Sequence, residues 1–199
     1  MDNHGIVILA AGNSSRMGQP KQLLEIDESN LITHIINSVI KVKSAESILI
    51  LGANAALIFT AINTEQIQIV INNNWGSGMA SGICLGLQTL LHHNPALETC
   101  TFVVCDQPFV NSNLLELLIT KHRETGKGII ACSYADTVGT PVLFSAVYFS
   151  QLLRLHGEQG AKRILSLHGN DVSTVSFEAG AVDIDTPQDY EHFLKTKSN

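Results

Sequence analysis

Ile6-Val7-Ile8-Leu9-Ala10-Ala11-Gly12-Asn13-Ser14-Ser15-Arg16-Met17-Gly18-Gln19-Pro20-Lys21 begins as a short apolar run and passes directly into small residues. A run of this length that stops at Gly12 predicts a buried strand over 6–10, followed by a loop. Small side chains let a ligand approach the main chain, where successive N–H groups can form an anion nest. Arg16 and Lys21 supply the nearby positive charge. The spacing is not the dinucleotide G-x-G-x-x-G, because the loop has only Gly12 and Gly18. It is not Walker A either, since Gln22 follows Lys21 where that motif needs Ser or Thr. An ordinary surface loop would account for the glycines, but packing gives no reason for two cations among small residues.

Beyond this loop, short apolar runs alternate with helical patterns. Strands are expected over 47–51, 67–71, 101–105, 128–133, 141–144 and 172–177, and helices over 31–43, 55–63, 146–153 and 161–168. Met79, Ile83, Leu87, Leu90 and Leu91 form one stripe of period near 3.6. Asn113 and Glu116 have capping-box spacing and predict a helix starting there. Thr186, Pro187 and Asp189 predict a sharp start for a last helix reaching about Lys195. Such alternation implies right-handed crossovers and an α/β fold with a mostly parallel sheet covered on both faces. Ligands of such a sheet bind beyond the carboxyl ends of its strands. With 199 residues and no repeat or linker, one domain over 1–199 is expected.

Composition narrows the partners. The chain is 45% hydrophobic and 15% charged, which is too apolar for disorder. No apolar run approaches the ~18 residues of a membrane span. Asp2 and His4 make a poor start for a signal peptide, so a cytoplasmic protein is expected, with no membrane partner. The formal net charge is −6, and no Lys or Arg occurs between Lys43 and Lys121. A nucleic-acid groove needs clustered positive charge, so nucleic acid is not an expected partner. Cys84, Cys100, Cys105 and Cys132 contain no C-x-x-C pair and read as free thiols.

The run 9–21, with Leu23-Leu24 after it, resembles the signature of the NTP transferases that attach nucleotides to the molybdenum cofactor, the MobA/MocA type. The likeness continues through Asn74-Trp75-Gly76-Ser77-Gly78-Met79, Gly86-Leu87, Asp106-Gln107-Pro108 and Gly139-Thr140-Pro141-Val142. It ends with Gly160-Ala161 and Asp183-Ile184-Asp185-Thr186-Pro187, and so covers nearly the whole chain in order. Asp-Gln-Pro and the closing Asp-Ile-Asp-Thr-Pro look most like the molybdopterin cytidylyltransferase branch. The resemblance implies a Rossmann-like three-layer α/β/α sandwich, as in relatives that make nucleotide sugars.

It also implies a site. Leu9, Ala10 and Ala11 would lie against the base, and Gly12, Asn13, Ser14, Ser15, Arg16 and Lys21 around the phosphates. Ser81 would be a further nucleotide contact, and Asp106 and Asp185 the ligands of Mg²⁺. Asp183 reads either as a partner of Asp185 on the same side of an extended segment or as a cap for the last helix. The implied reaction is attack by an acceptor phosphate on the α-phosphorus of an NTP with release of pyrophosphate, and Arg16, Lys21 and Asp106 would carry it. Guanine-using relatives usually have Gly where Ala11 stands, which favours CTP over GTP. Molybdopterin is the implied acceptor, with another phosphorylated acceptor such as a sugar phosphate, or a non-catalytic nucleotide-binding module, as alternatives. Gly82 and Thr140 depart from the family's Ser and His and bear on the acceptor. Trp75 reads either as a pocket wall or as a loop anchor, Met17 as packing beneath the loop, and Gln107 as a turn former and candidate ligand contact.

Overall fold

The computed structural model describes residues 3–43, 45–158 and 160–197. Asp2, used above in the leader reading, lies outside them. The strands are β1 (His4–Ala10), β2 (Glu25–Ile26), β3 (Ser29–Asn30), β4 (Ala45–Leu51), β5 (Gln68–Ile71), β6 (Thr99–Val104), β7 (Ile129–Tyr134), β8 (Thr137–Ser145) and β9 (Val172–Ser176). The helices are α1 (Leu31–Val39), α2 (Ala55–Ala61), α3 (Met79–His93), α4 (Ser112–Thr125), α5 (Phe149–Leu152), α6 (Lys162–Leu167) and α7 (Pro187–Lys197).

Seven strands form one sheet in the order β5-β4-β1-β6-β8-β7-β9. Only β8 runs antiparallel to its neighbours, so the mostly parallel α/β sheet is as expected. Ile6, Ile8, Leu49, Leu51 and Val103 face one buried cluster with α1 and α4, while Val7, Ile48, Ile50 and Phe102 face another with α3. Burial on both faces explains why these strands read as continuous apolar runs rather than alternating ones. The chain leaves β1 to build β4 and β5 on one side, then returns to place β6 on the other. That reversal opens a crevice at the carboxyl ends of β1 and β6.

Several boundaries differ from the sequence reading for identifiable reasons. The α4 cap is Asn111, whose side chain accepts from Leu114 N at 3.0 Å, so Asn113 lies inside the first turn. Strand β8 starts at Thr137 instead of Pro141, because its ladder with β7 resumes beyond a bulge: Ala131 pairs with Val142 and Cys132 with Gly139, leaving Thr140 and Pro141 between them. A bulge of this kind tolerates a proline that cannot donate to the ladder. Helix α1 ends at Val39 instead of Lys43, and Val42 is buried by the turn that follows. The segment 146–148 is a 3₁₀ turn leading into the short α5. The β2–β3 hairpin had no sequence signal. Cys100, Cys105 and Cys132 are buried and Cys84 half-buried, all four as free thiols.

Helix α3 lies tightly on β1, and this closeness shapes the crevice. A Cβ added at Gly86 would come 2.5 Å from Val7 Cγ1, on a β-branched, fully buried side chain with little freedom to turn. Gly86→Ala is therefore expected to lower stability by about 1–3 kcal/mol in urea unfolding. Unchanged stability would mean that α3 is free to shift from the sheet.

Candidate active site

The loop after β1 is folded around one side chain that sequence reading passed over. Gln22, 1% exposed, donates through Nε2 to Ala10 O (3.0 Å) and Gly12 O (3.2 Å). Its Oε1 accepts from Ser14 Oγ at 3.2 Å, and Ser14 Oγ accepts from Lys21 N at 3.1 Å. Ser14 has a φ of 55°, a left-handed conformation uncommon for serine, and its side chain and carbonyl tie down both ends of the loop. Met17 packs beneath the loop at 6% exposure, as expected.

The loop brings Lys21 to the carboxyl end of β6. Lys21 Nζ donates to Asp106 Oδ2 and to Asp185 Oδ1, both at 2.7 Å, across 85 and 164 positions of sequence. Arg16 donates through Nη2 to Asp185 Oδ2, so both oxygens of Asp185 are engaged by cations. The segment carrying Asp183 and Asp185 is tied to the same strand end, since Ile184 N donates to Asp106 O at 3.0 Å. Ile184 is fully buried, and the alternation of an extended segment turns its two acidic neighbours the other way. Asp189 completes the arrangement from the first turn of α7. Its Oδ2 accepts from Thr186 N, Thr186 Oγ1 and Asp185 N, while its own N–H donates to Thr186 Oγ1. This reciprocal box starts α7 sharply and fixes where Asp185 stands.

Oxygens of Asp106, Asp183 and Asp185 lie within 4.8 Å of one another. An oxygen-only donor set of this size fits a hard divalent ion such as Mg²⁺ or Mn²⁺. Desolvation, and then the charges of Asp106 and Asp185, push the Asp183 carboxyl up to about 7 although the residue is the exposed member of the three. Desolvation also acts to raise Asp185, but hydrogen bonding and charge from Lys21 and Arg16 hold it below the usual carboxylate range. Burial would lower the Lys21 ammonium, yet Asp106 and Asp185 outweigh it and hold the lysine well above its ordinary value.

A cleft of about 380 Å³ extends from this cluster. The ends of β1 and β6 form its floor through Leu9 to Asn13 and Val104 to Asp106, Lys21 and Gln22 one wall, and Trp75, Gly76 and Met79 the other. Gly52 packs behind two of these residues, since a Cβ there would come 2.9 Å from Ala11 Cβ and 2.7 Å from Trp75 Cβ. Trp75 is thus both a wall of the cleft and packed against a loop, joining its two readings. A second cavity of about 340 Å³ continues from Asp106 past Gln107, Tyr134, Thr137, Thr140, Gly180 and Asp183. Gln107 donates through Nε2 to Gly180 O at 3.0 Å, tying the segment after Asp106 to the one that leads to Asp183.

The structure does not gather all of the expected residues. Leu9, Ala10, Ala11, Gly12, Asn13, Lys21 and Asp106 line the cleft, whereas Ser14, Ser15 and Arg16 do not. Ser14 organises the loop, Ser15 is exposed, and Arg16 reaches the site only through Asp185. Ser81 also stands outside the residues that line the cleft. Its hydroxyl donates to Gly78 O and accepts from Asn72 Nδ2, on a separate groove beside Cys84. The cleft position belongs to Gly82, one residue and about 100° further round α3. A Cβ there would come 3.3 Å from Leu9 Cδ2, so the close packing of α3 on β1 suits glycine.

The chain is 31% identical over 118 residues to nicotine blue oxidoreductase of Paenarthrobacter nicotinovorans, a match covering 59% of this chain and 56% of that one. The chain thus spans about half the length of that relative. Rv0371c of Mycobacterium tuberculosis H37Rv superposes with a TM-score of 0.81 at 27% identity, covering 98% of each chain. Its manganese complex superposes at 0.78 and 26% identity, over 97% of this chain and 98% of that one. Molybdopterin-guanine dinucleotide biosynthesis protein A of Archaeoglobus fulgidus, at 18% identity and a TM-score of 0.70 over 98% of each chain, shares the fold. Residues 6–172 match the model of the MobA-like NTP transferase domain, and the chain belongs to that nucleotidyltransferase family.

Proposed function

We propose that this protein transfers CMP from CTP to the terminal phosphate of molybdopterin, with Mg²⁺ and release of pyrophosphate, and that the whole chain acts as one domain. The observation that carries the reading is the meeting of Lys21, Arg16 and three aspartates at the mouth of one cleft. Structural ion pairs alone give no reason to crowd three carboxylates together beside an open cleft. Nucleotidyl transfer does, because charge must be neutralised on both the attacking and the leaving oxygens.

The base lies against Leu9, Ala10 and Ala11, and the triphosphate runs past Gly12 and Asn13 toward Lys21. Asp106, Asp183 and Asp185 hold Mg²⁺, which when bound neutralises charge on the phosphoryl oxygens. An oxygen of the acceptor phosphate forms a bond to the α-phosphorus, the α–β bridge breaks, and its electron pair leaves with pyrophosphate. Lys21 stabilises that leaving charge, while Arg16 orients Asp185. The acceptor phosphate is already ionised at neutral pH, so the site needs no strong base. The acceptor's body occupies the second cavity, whose described lining includes the Tyr134 ring, neutral groups and the carboxylates of Asp106 and Asp183 at one end, but no Lys or Arg. An uncharged planar heterocycle suits that lining better than a second charged group.

Lys21→Ala is expected to lower pyrophosphate release from CTP and molybdopterin by about 10²-fold or more, the scale of deleting one preorganised charge-stabilising donor. Full activity in that variant would place the chemistry elsewhere. Calorimetry is expected to show tighter binding of Mg²⁺–CTP than Mg²⁺–GTP, because the Ala11 methyl leaves less room for a purine, a contrast of about 1–3 kcal/mol. Ala11→Gly should narrow the gap. Equal affinities in the unaltered protein would remove the base assignment.

A further inference from the structure

The cations at this site do not point at the cleft as free charges. Lys21 Nζ is hydrogen-bonded to Asp106 and Asp185 at 2.7 Å each, and its side chain is only 14% exposed. Asp185 has no oxygen left uncommitted, since Arg16 takes the other. A divalent ion bonded to the same oxygens at ~2.1 Å would stand within a few ångströms of the ammonium, where two positive charges repel strongly in a poorly hydrated setting. Lysine and metal therefore have overlapping claims on one set of carboxylates. A triphosphate arriving at the loop offers Lys21 an alternative partner of higher negative charge.

We propose that Lys21 and the divalent ion compete for Asp106 and Asp185, so that the metal gains these carboxylates only as Lys21 turns to the nucleotide's phosphates. The inference rests on the nucleotidyl-transfer reading and adds to it an order of events. In the nucleotide-free protein, Lys21 stands in for the ion, keeps three mutually repelling carboxylates in place and makes the site a poor trap for metal alone. Once the triphosphate draws the ammonium away, the ion enters with oxygens supplied from both sides. Metal and nucleotide then bind with positive coupling, and by linkage each strengthens the other by the same factor.

The test uses two binding measurements and no turnover. Mn²⁺ binding to the full chain is followed by electron paramagnetic resonance without nucleotide, and CTP binding is followed by calorimetry in EDTA. Lys21→Met is expected to raise Mn²⁺ affinity about tenfold, within the usual span of coupled sites, and to lower metal-free CTP affinity. Lys21→Gln, which keeps a polar chain but no charge, should move both quantities the same way, and thermal unfolding checks that each variant is folded. Lys162→Met removes an equal charge from a residue that donates to Thr137 rather than to an aspartate, and should change Mn²⁺ affinity far less. Unchanged or weaker Mn²⁺ binding in both Lys21 variants would overturn the proposal. An equal gain in Lys162→Met would also overturn it, because net charge alone would then explain the effect. CTP and GTP both failing to bind the unaltered protein would instead overturn the nucleotidyl-transfer reading, with the lysine–metal competition still judged by its own arm.

Discussion

Everything at the functional end of this molecule depends on holding three carboxylates within 4.8 Å of one another. Like charges so close raise each other's free energy, and after desolvation they help push the Asp183 carboxyl up. The fold meets this repulsion with two devices. One is covalently remote charge, with Lys21 and Arg16 delivered by the first loop. The other is main-chain geometry, with Ile184 N–H anchored on Asp106 O and the α7 cap fixing Asp185. Surface ion pairs such as Arg16–Asp185 contribute little by themselves, but the two bonds of Lys21 are partly buried and share one ammonium, so each holds the other in position.

The sheet topology explains why such distant residues meet. Strands β1 and β6 are neighbours, and their carboxyl ends carry the loop and Asp106 to one edge. Helix α3 closes the crevice from one face, with Gly86 letting it approach β1 and Gly82 keeping the cleft side free of bulk. The phosphate loop in turn needs Gln22, which bonds two carbonyls and a hydroxyl so that a run of small residues keeps one shape. Packing on the sheet thus sets where the cleft is, and hydrogen bonds within the loop set what faces it.

Much of this was legible in the sequence, for physical reasons. Apolar runs ended by glycine identified the buried parallel strands, and two cations in a small-residue loop had no packing explanation. Thr186, Pro187 and Asp189 announced the last helix through local chemistry that needs no tertiary partner. Other features depended on distant neighbours. Asn111 and Asn113 are equally plausible caps in isolation, and the one that caps is Asn111, next to buried Val110. Ser81 and Gly82 differ by one residue, so only the packing of α3 decides which of them meets the cleft. Strand β8 runs through Pro141 because Thr140 and Pro141 bulge out of its ladder with β7, a register that depends on the partner strand. Gln22 reads as an ordinary polar residue because two of its partners are main-chain carbonyls, which no residue type announces.

The most direct measurement is the crystal structure of the protein with CTP and Mn²⁺, read through the anomalous signal of the metal. The account predicts a single strong peak among Asp106, Asp183 and Asp185, the cytosine against Leu9 to Ala11, and Lys21 Nζ on a phosphate oxygen. A nucleotide bound outside the cleft, or a metal peak away from all three aspartates, would contradict it.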